Sequence, residues 1–198
     1  MPAIILSWAA VIVVTATSIG LLLNRDWRWD LGLLATQYLG VSILVAQHWP
    51  VGMAAAKLVT GWMATAALGM TLTALPPHEE PDEQFWPQGR VFRLFMAGMI
   101  LILALAITPR IESVMAGVGA PEITGAILLS GMGLLHIGTS SRIVRVVFAL
   151  LTFLAGFEIL YSAVEGSILV AALLTIVSLG IVLAGAYLLN ASGAEELP

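Results

Sequence analysis

Two charged residues, Lys57 and Glu158, lie inside long apolar stretches of this chain. Lys57 lies within residues 51–75 and Glu158 within residues 143–163, and each stretch is long enough to cross a bilayer. A charge at membrane depth costs about 2.5–3.5 kcal/mol on insertion scales, so it needs a partner, water or a function. A carboxylate and an amine can both exchange protons. The two residues therefore predict a proton or ion path through a helical membrane protein.

Glu158 has two interpretations. As a path residue, it exchanges protons or polarises water in the membrane interior. As a structural residue, it is a protonated carboxyl group that donates a hydrogen bond to a neighbouring carbonyl, and Ser162, one helical turn later, is placed to serve it locally. The sequence leaves both interpretations open.

Lys57 also has two interpretations. It shares a helix face with small residues, and such a face allows a second helix to approach closely; these residues are Ala54, Gly61, Ala64 and Thr65. In that setting Lys57 lines a path or neutralises a buried acid on this chain or on a partner. Alternatively, it snorkels to the membrane interface, because it lies roughly 10 Å of helical rise from Pro50.

Three further polar residues lie at membrane depth. Gln37 and Ser42 suit interhelical hydrogen bonds, and a place in an ion path is the alternative. His136 lies near the end of a predicted span, where an interface role and proton exchange are both open. The candidate path residues are thus Glu158, Lys57, Gln37, Ser42 and His136.

Several classes of chemistry have no support in the sequence. The chain has no cysteine, which excludes disulfides, thiol chemistry and iron–sulfur ligation. No two histidines have ligand spacing, and no glycine-rich phosphate loop precedes a helix, so we predict no metal, haem or other cofactor. The basic residues form no nucleic-acid patch. No catalytic residue is predicted.

The composition indicates the fold class. Of 198 residues, 60% are hydrophobic and 10% are charged, and the mean hydropathy is +1.01. A soluble protein of this length could not bury so much apolar surface, so the lipid bilayer is the expected solvent. The first residues lack the basic region of a cleaved signal peptide, and the first helix is predicted to be retained. We predict an all-α, polytopic integral membrane protein.

About seven spans are predicted, at residues 3–23, 31–48, 51–75, 91–108, 121–138, 143–163 and 167–190. They divide the chain into N-terminal membrane helices (1–75), an acidic cytoplasmic loop (76–90) and a C-terminal membrane region (91–198). Thr108 and Pro109 resemble the start of a helix, with Thr as N-cap and Pro in the first turn. A short interfacial helix over 109–117 is therefore expected.

The arginines predict the orientation. With the N-terminus outside, six of the eight basic residues fall at cytoplasmic connections; these are Arg25, Arg28, Arg90, Arg93, Arg142 and Arg145. Only Arg110 falls outside, and Lys57 is intramembrane. Since cytoplasmic connections are enriched in Lys and Arg, we predict a plasma-membrane protein with a cytoplasmic C-terminus.

A weak internal repeat appears when the sequence is shifted by 116 residues. Residues 33–36 then align with 149–152, and residues 40–44 align with 156–160. The two predicted tight hairpins, with turns at residues 48–50 and 164–167, also coincide. Apolar sequences match easily by chance, so a duplication and a chance match both stay open. Repeats of this kind are common in transport-type membrane folds.

The second half resembles the K-type subunit of respiratory complex I. Ser141-Arg142-Ile143-Val144-Arg145 matches the basic turn of that family, and Gly156-Phe157-Glu158-Ile159-Leu160 matches its Gly-Leu-Glu-Ile-like motif. The family carries a second intramembrane Glu before a Ser-Leu-Gly-like run. Here that run is Ser178-Leu179-Gly180, and the Glu position falls at about Ile176, so the second carboxylate is absent.

The full chain resembles membrane component E of hydrogenase-4-type complexes. The matches in the first half are Ala35-Thr36-Gln37, Val41-Ser42 and Lys57-Leu58-Val59. The resemblance implies a non-catalytic subunit that packs against antiporter-like subunits in a complex I-like, hydrogenase-like or antiporter-like assembly that moves protons or cations. A self-sufficient small transporter and a purely structural membrane subunit are the alternatives.

Overall fold

The computed structural model describes residues 2–24, 26–74, 89–115 and 117–195. These residues form seven α-helices and contain no strand, which confirms the all-α prediction. In chain order the helices are α1 (Pro2–Leu23), α2 (Trp27–Val45), α3 (Val51–Ala74), α4 (Arg90–Val114), α5 (Ala120–Gly138), α6 (Ile143–Val164) and α7 (Ile168–Glu195). The predicted acidic loop lies mostly outside the described residues.

Six of these helices are long and apolar enough to cross a membrane, so the chain is a multi-pass membrane protein. The exception among the described helices is α2, whose mean hydropathy is lowered by Arg28, Asp30 and Gln37. At 19 residues α2 still extends about 28 Å. It packs along α1, α3 and α6, and its polar residues Asp30 and Gln37 are buried, so protein instead of lipid covers these two side chains.

Several helix boundaries differ from the predicted spans by a few residues, and two of these differences have a physical reason. The second helix begins at Trp27 instead of residue 31, because the Asp26 side chain caps it by accepting a hydrogen bond of 3.0 Å from the backbone of Arg28. The predicted helix start at Thr108-Pro109 is wrong, since α4 continues through Pro109 to Val114. A break there would leave more backbone groups unsatisfied in the bilayer, which favours a continuous helix.

The connections between the helices define two ends of the bundle, which we call the hairpin side and the arginine side. At the hairpin side, α2 leads into α3 and α6 leads into α7. At the arginine side, the Arg93 guanidinium donates hydrogen bonds to the carbonyls of Leu22 (3.4 Å) and Thr139 (3.3 Å), at the ends of α1 and α5. Arg145 donates one to the carbonyl of Asn24 (3.1 Å). Cations at helix C-termini are favourable because they satisfy the last carbonyls and complement the helix dipole.

The internal repeat is visible in the tertiary structure. Helices α1, α2 and α3 begin at residues 2, 27 and 51, and α5, α6 and α7 begin at 120, 143 and 168, so equivalent helices are offset by 116 to 118 residues. Each helix of the first unit packs against its equivalent in the second: α1 against α5, α2 against α6, and α3 against α7. The chain therefore consists of two three-helix units joined by α4.

Equivalent glycines make equivalent close contacts. A Cβ atom on Gly40 would lie 2.7 Å from the side chain of Val14 and 3.3 Å from the carbonyl of Ala10. Gly156, which is 116 residues later, approaches Ser130 and the carbonyl of Ala126, which are also 116 residues later. The same holds for Gly69 against Leu31 and Gly185 against Val147. Such a shared register over several helix contacts supports a true structural repeat.

The two units have the same direction across the membrane. The C-terminal ends of α1 and α5 both meet Arg93, and α2 and α6 run side by side in parallel through the pairs Gln37–Thr152 and Trp49–Glu165. A unit with three crossings would reverse the direction of the next unit if the two were joined directly. The extra helix α4 returns the chain to the starting side and so makes a parallel repeat possible.

Burial differs strongly between helices. In the candidate spans of α5 and α6, 61% and 56% of the residues are buried, whereas the values for α4 and α7 are 22% and 17%. The core therefore lies between the two units, along α2, α5 and α6. The outer faces of α4 and α7 are apolar surfaces that contact the bilayer.

Candidate functional site

Lys57 and Glu158 form a buried ion pair between the two repeat units. Lys57 lies on α3 of the first unit and Glu158 on α6 of the second, and the ammonium nitrogen is 2.5 Å from both carboxylate oxygens. Lys57 is 5% exposed and Glu158 is 2% exposed. Each lies six residues from the hairpin-side end of its helix, or about 9 Å of rise. The pair is thus inside the apolar region.

The Lys57 ammonium has two further neighbours. The hydroxyl of Ser178 on α7 lies 3.4 Å from it, and the ring centroid of Tyr38 on α2 lies 5.6 Å from it, within cation–π range. Gly61, one turn after Lys57 on α3, leaves room for the Tyr38 ring, because a Cβ atom there would overlap that ring. Helices from both units therefore enclose the ammonium group.

The sequence prediction that Lys57 lies on a helix-contacting face is confirmed. Its small neighbours on that face, Ala54, Gly61, Ala64 and Thr65, are all buried. The snorkelling alternative does not describe this structure, because the ammonium group lies against Glu158 in the bundle interior. The acid that Lys57 neutralises is on the same chain.

A cavity of about 170 Å³ borders the ion pair in the hairpin-side half of the bundle. Its walls are the first turns of α3 and α7 together with the end of α2, and they include Met53, Ala56, Ile168, Ala172 and Thr175. Lys57 and Glu158 are the charged residues among those that line it. The pair is thus covered by packed side chains on one side and borders open space on the other.

A second polar group lies deeper between the units. Gln37 on α2 donates a hydrogen bond of 3.1 Å to the hydroxyl of Thr152 on α6, and the hydroxyl of Ser18 on α1 lies 3.5 Å from its carbonyl oxygen. All three side chains are buried. Thr152 lies six residues before Glu158, or about 9 Å of rise towards the arginine side. Six helical positions also rotate a side chain about 120° away, so the two groups occupy different faces of α6.

The remaining candidate residues do not contact the ion pair. Ser42 donates a hydrogen bond of 2.8 Å to the carbonyl of Leu39 on its own helix. Ser162 likewise bonds the carbonyl of Ile159 at 2.7 Å and does not serve Glu158. His136 is buried at the arginine side, within electrostatic range of Arg93 and Arg145. The structure therefore joins Lys57 with Glu158, and places Gln37, Ser42 and His136 elsewhere.

The position at which the resemblance to K-type subunits predicts a second carboxylate is outside the site. Ile176 on α7 is 65% exposed, whereas Ser178, two residues later, faces Lys57. The neighbours that sequence reasoning did not identify are Tyr38, Ser18, Thr152 and Ser178. Their residue types are common in membrane helices, so only the packing of the two units distinguishes them.

Protonation of Glu158 would weaken its attraction for Lys57. A carboxylate that accepts a proton loses its charge, and its attraction for an ammonium group then falls to that of a neutral hydrogen bond. Because Lys57 has alternative neighbours in Ser178 and Tyr38, the site contains groups for both protonation states of Glu158. Proton exchange at Glu158 would thus change the contacts that hold the two repeat units together.

No protein-family model, curated protein or solved structure matches this chain. The fold and the geometry of the site therefore carry the functional argument.

Proposed function

We propose that this chain is an accessory membrane subunit of a proton- or cation-translocating complex, and that Glu158 exchanges a proton while Lys57 controls its charge. The observation that carries the proposal is the ion pair between α3 and α6, buried in the apolar region. A buried ion pair is weak evidence for stability, because desolvation offsets much of its attraction. Ionisable residues inside membrane proteins usually mark ion or proton paths.

Two observations favour an accessory role over a complete pathway. Between the two units the described polar groups at depth form two separate clusters, and the other side chains there are mainly apolar. The outer faces of α4 and α7 are broad apolar surfaces, suited to lipid or to other membrane subunits. The partners that we propose are antiporter-like subunits in a complex I-like, hydrogenase-like or antiporter-like assembly, as the sequence resemblance to component E of hydrogenase-4-type complexes implies.

The proposed location is the plasma membrane, with the N-terminus outside and the C-terminus in the cytoplasm. Arg93 and Arg145, from two different basic connections, meet the ends of α1 and α5 at one end of the bundle. A common basic end is expected to be cytoplasmic. The hairpin side, with the cavity, then faces outside.

A self-sufficient small transporter is the second candidate, and the parallel repeat favours it. Transporters built from two repeats hold their substrate or coupling ion near the interface between the repeats. Lys57 and Glu158 come from different units and meet at such an interface. Purification in a mild detergent separates the candidates: co-purifying antiporter-like subunits support the accessory role, and proton movement by the isolated chain in liposomes supports the transporter.

The central experiment measures proton pumping by the intact complex in vesicles. We expect Glu158→Gln to abolish or strongly reduce pumping, because glutamine keeps the size of the side chain but does not titrate. Assembly is measured separately by co-purification, and the double variant Lys57→Met/Glu158→Gln removes the charge that the single variant leaves buried. Glu165→Gln, in the exposed turn after α6, is the matched control. Full pumping by an assembled Glu158→Gln complex would reject the proposal and leave a purely structural subunit.

A further inference from the structure

The cavity beside the ion pair is located at one end of the bundle. Every residue that lines it belongs to the hairpin-side parts of α2, α3, α6 and α7 or to the turn after α2. Deeper in the bundle, α3 and α7 meet where the Lys57 ammonium lies next to the Ser178 hydroxyl. Their first turns, near Met53 and Ile168, line the cavity.

The opposite end of the same helices is closed. Below the ion pair, apart from the polar group of Gln37, Thr152 and Ser18, side chains of both units pack into a cluster whose members are at most 4% exposed. It contains Leu21, Leu34, Tyr38, Ala64, Leu68, Val147, Phe148, Leu151 and Val182. A packed apolar cluster has few voids that hold water, so it blocks proton movement. The ion pair therefore lies between an open side and a sealed side.

The polar end of the cavity can hold water. A volume of about 170 Å³ exceeds the roughly 30 Å³ that one water molecule takes up in the liquid, so several molecules fit. An apolar cavity stays dry, but a water molecule next to Lys57, Glu158 and Thr175 has the two to four polar partners that it needs. Hydration of this end also lowers the cost of keeping two charges there.

We propose that this cavity is a water-filled access route that delivers protons to Glu158 from the hairpin side alone. This inference rests on the proposed function of Glu158 and adds the side of the membrane from which the proton arrives. A hydronium ion in the cavity transfers one proton to a Glu158 carboxylate oxygen, leaving a water molecule and a neutral carboxyl group. Lys57 keeps its charge and stays near the Ser178 hydroxyl and the Tyr38 ring. Proton release towards the arginine side then requires a change in the packing between the units.

Four alanine-to-cysteine variants test the water content of the cavity, because the native chain has no cysteine. Ala56 and Ala172 line the cavity. Ala64 is fully buried below the ion pair, and Ala184 lies on the outer face of α7. Each substitution adds a single sulfur atom, so the variants are matched in size. Reporter cysteines at Gly166 and Ser141 mark the hairpin side and the arginine side.

The measurement is the labelling rate with a small, charged thiol reagent that does not cross membranes, added to either side of the membrane. We expect cysteines at 56 and 172 to react at least about tenfold faster than those at 64 and 184, since a thiolate forms readily only in contact with water. Their labelling should follow the side of the Gly166→Cys reporter.

Two results would overturn the access route. Reaction of the cysteines at 56 and 172 only with a membrane-permeant reagent would mean that lipid or a partner fills the cavity. Labelling from the side of the Ser141→Cys reporter would reverse the direction. Neither result depends on proton pumping, so failure of the access route is distinguishable from failure of the proposed function, which the pumping of the Glu158→Gln complex tests.

Discussion

Trp49 and Glu165, two equivalent positions of the repeat, bind each other directly. The indole nitrogen of Trp49 donates a hydrogen bond of 3.0 Å to the backbone carbonyl of Glu165, which lies 116 residues later. This bond therefore joins the two hairpin turns beside the cavity that borders Lys57 and Glu158.

Removal of one charge from the ion pair should destabilise the protein more than removal of both. Lys57→Met leaves the Glu158 carboxylate buried without its partner, and Glu158→Gln leaves the Lys57 ammonium buried without its partner. Breaking a buried ion pair in this way costs roughly 3–5 kcal/mol. The double variant has no uncompensated buried charge. We therefore expect it to recover more than half of the free energy of unfolding that the single variants lose.

The measurement is the free energy of unfolding of the four proteins in detergent, arranged as a double-mutant cycle. Glu165→Gln controls for a change from Glu to Gln in an exposed position. If the double variant lost the sum of the free energies that the two single variants lose, the two residues would not be energetically coupled.

The contact between Gln37 and Thr152 is expected to join helices without carrying protons. Thr152→Val removes the hydroxyl that accepts the bond from Gln37 and should lower the free energy of unfolding by about 0.6 kcal/mol, a typical value for interhelical hydrogen bonds in membranes. The control is Thr36→Val at the equivalent position, because Thr36 is exposed and bonds only the carbonyl of Gly32 on its own helix. Loss of proton pumping in an assembled, stable Thr152→Val complex would instead place this contact in the path.

Gly156 should tolerate no side chain. A Cβ atom there would lie 2.6 Å from the backbone nitrogen of Ser130 and 2.7 Å from the carbonyl of Ala126, so α5 and α6 would have to separate. We expect Gly156→Ala to cost about 1–3 kcal/mol, as overpacking does. Gly180→Ala is the control, since nothing lies within 4 Å of that position.

Thermal unfolding in detergent compares these two glycine variants. The control should be neutral or slightly stabilised, because alanine favours a helix over glycine by up to about 1 kcal/mol. Equal stability of the two variants would mean that α5 and α6 are not packed as described.

The two ends of the chain should lie on opposite sides of the membrane, because seven crossings reverse its direction. Cysteines at Ser113 and Ser141, which lie at opposite ends of the bundle, report the orientation. An impermeant reagent added to intact cells should label Ser113→Cys, and it should label Ser141→Cys only after permeabilisation. The reverse pattern would invert the proposed orientation. Epitope tags at both termini that face the same side would show that α2 does not cross.

The sequence by itself determined the fold class and most helix boundaries. Apolar segments of sufficient length have one stable arrangement in a bilayer, the helix, because every backbone polar group must bond within the segment. The prediction failed at Pro109 for the same reason: in water Thr108 and Pro109 favour a helix start, but inside a membrane the cost of broken backbone bonds keeps α4 continuous. At Trp27 a local cap by Asp26 set the start.

The sequence also identified Lys57 and Glu158, since a charge at membrane depth is costly wherever it is found. Their contact was decided by the tertiary structure alone. They are 101 residues apart, and neither spacing nor helix periodicity links them. The two three-helix units pack α3 against α2 and α7, and the small side chains along α3 allow this close packing. The long Lys57 side chain then reaches Glu158 on α6. Pairing inside an apolar core depends on which helix faces are brought together, and that is a property of the assembled bundle.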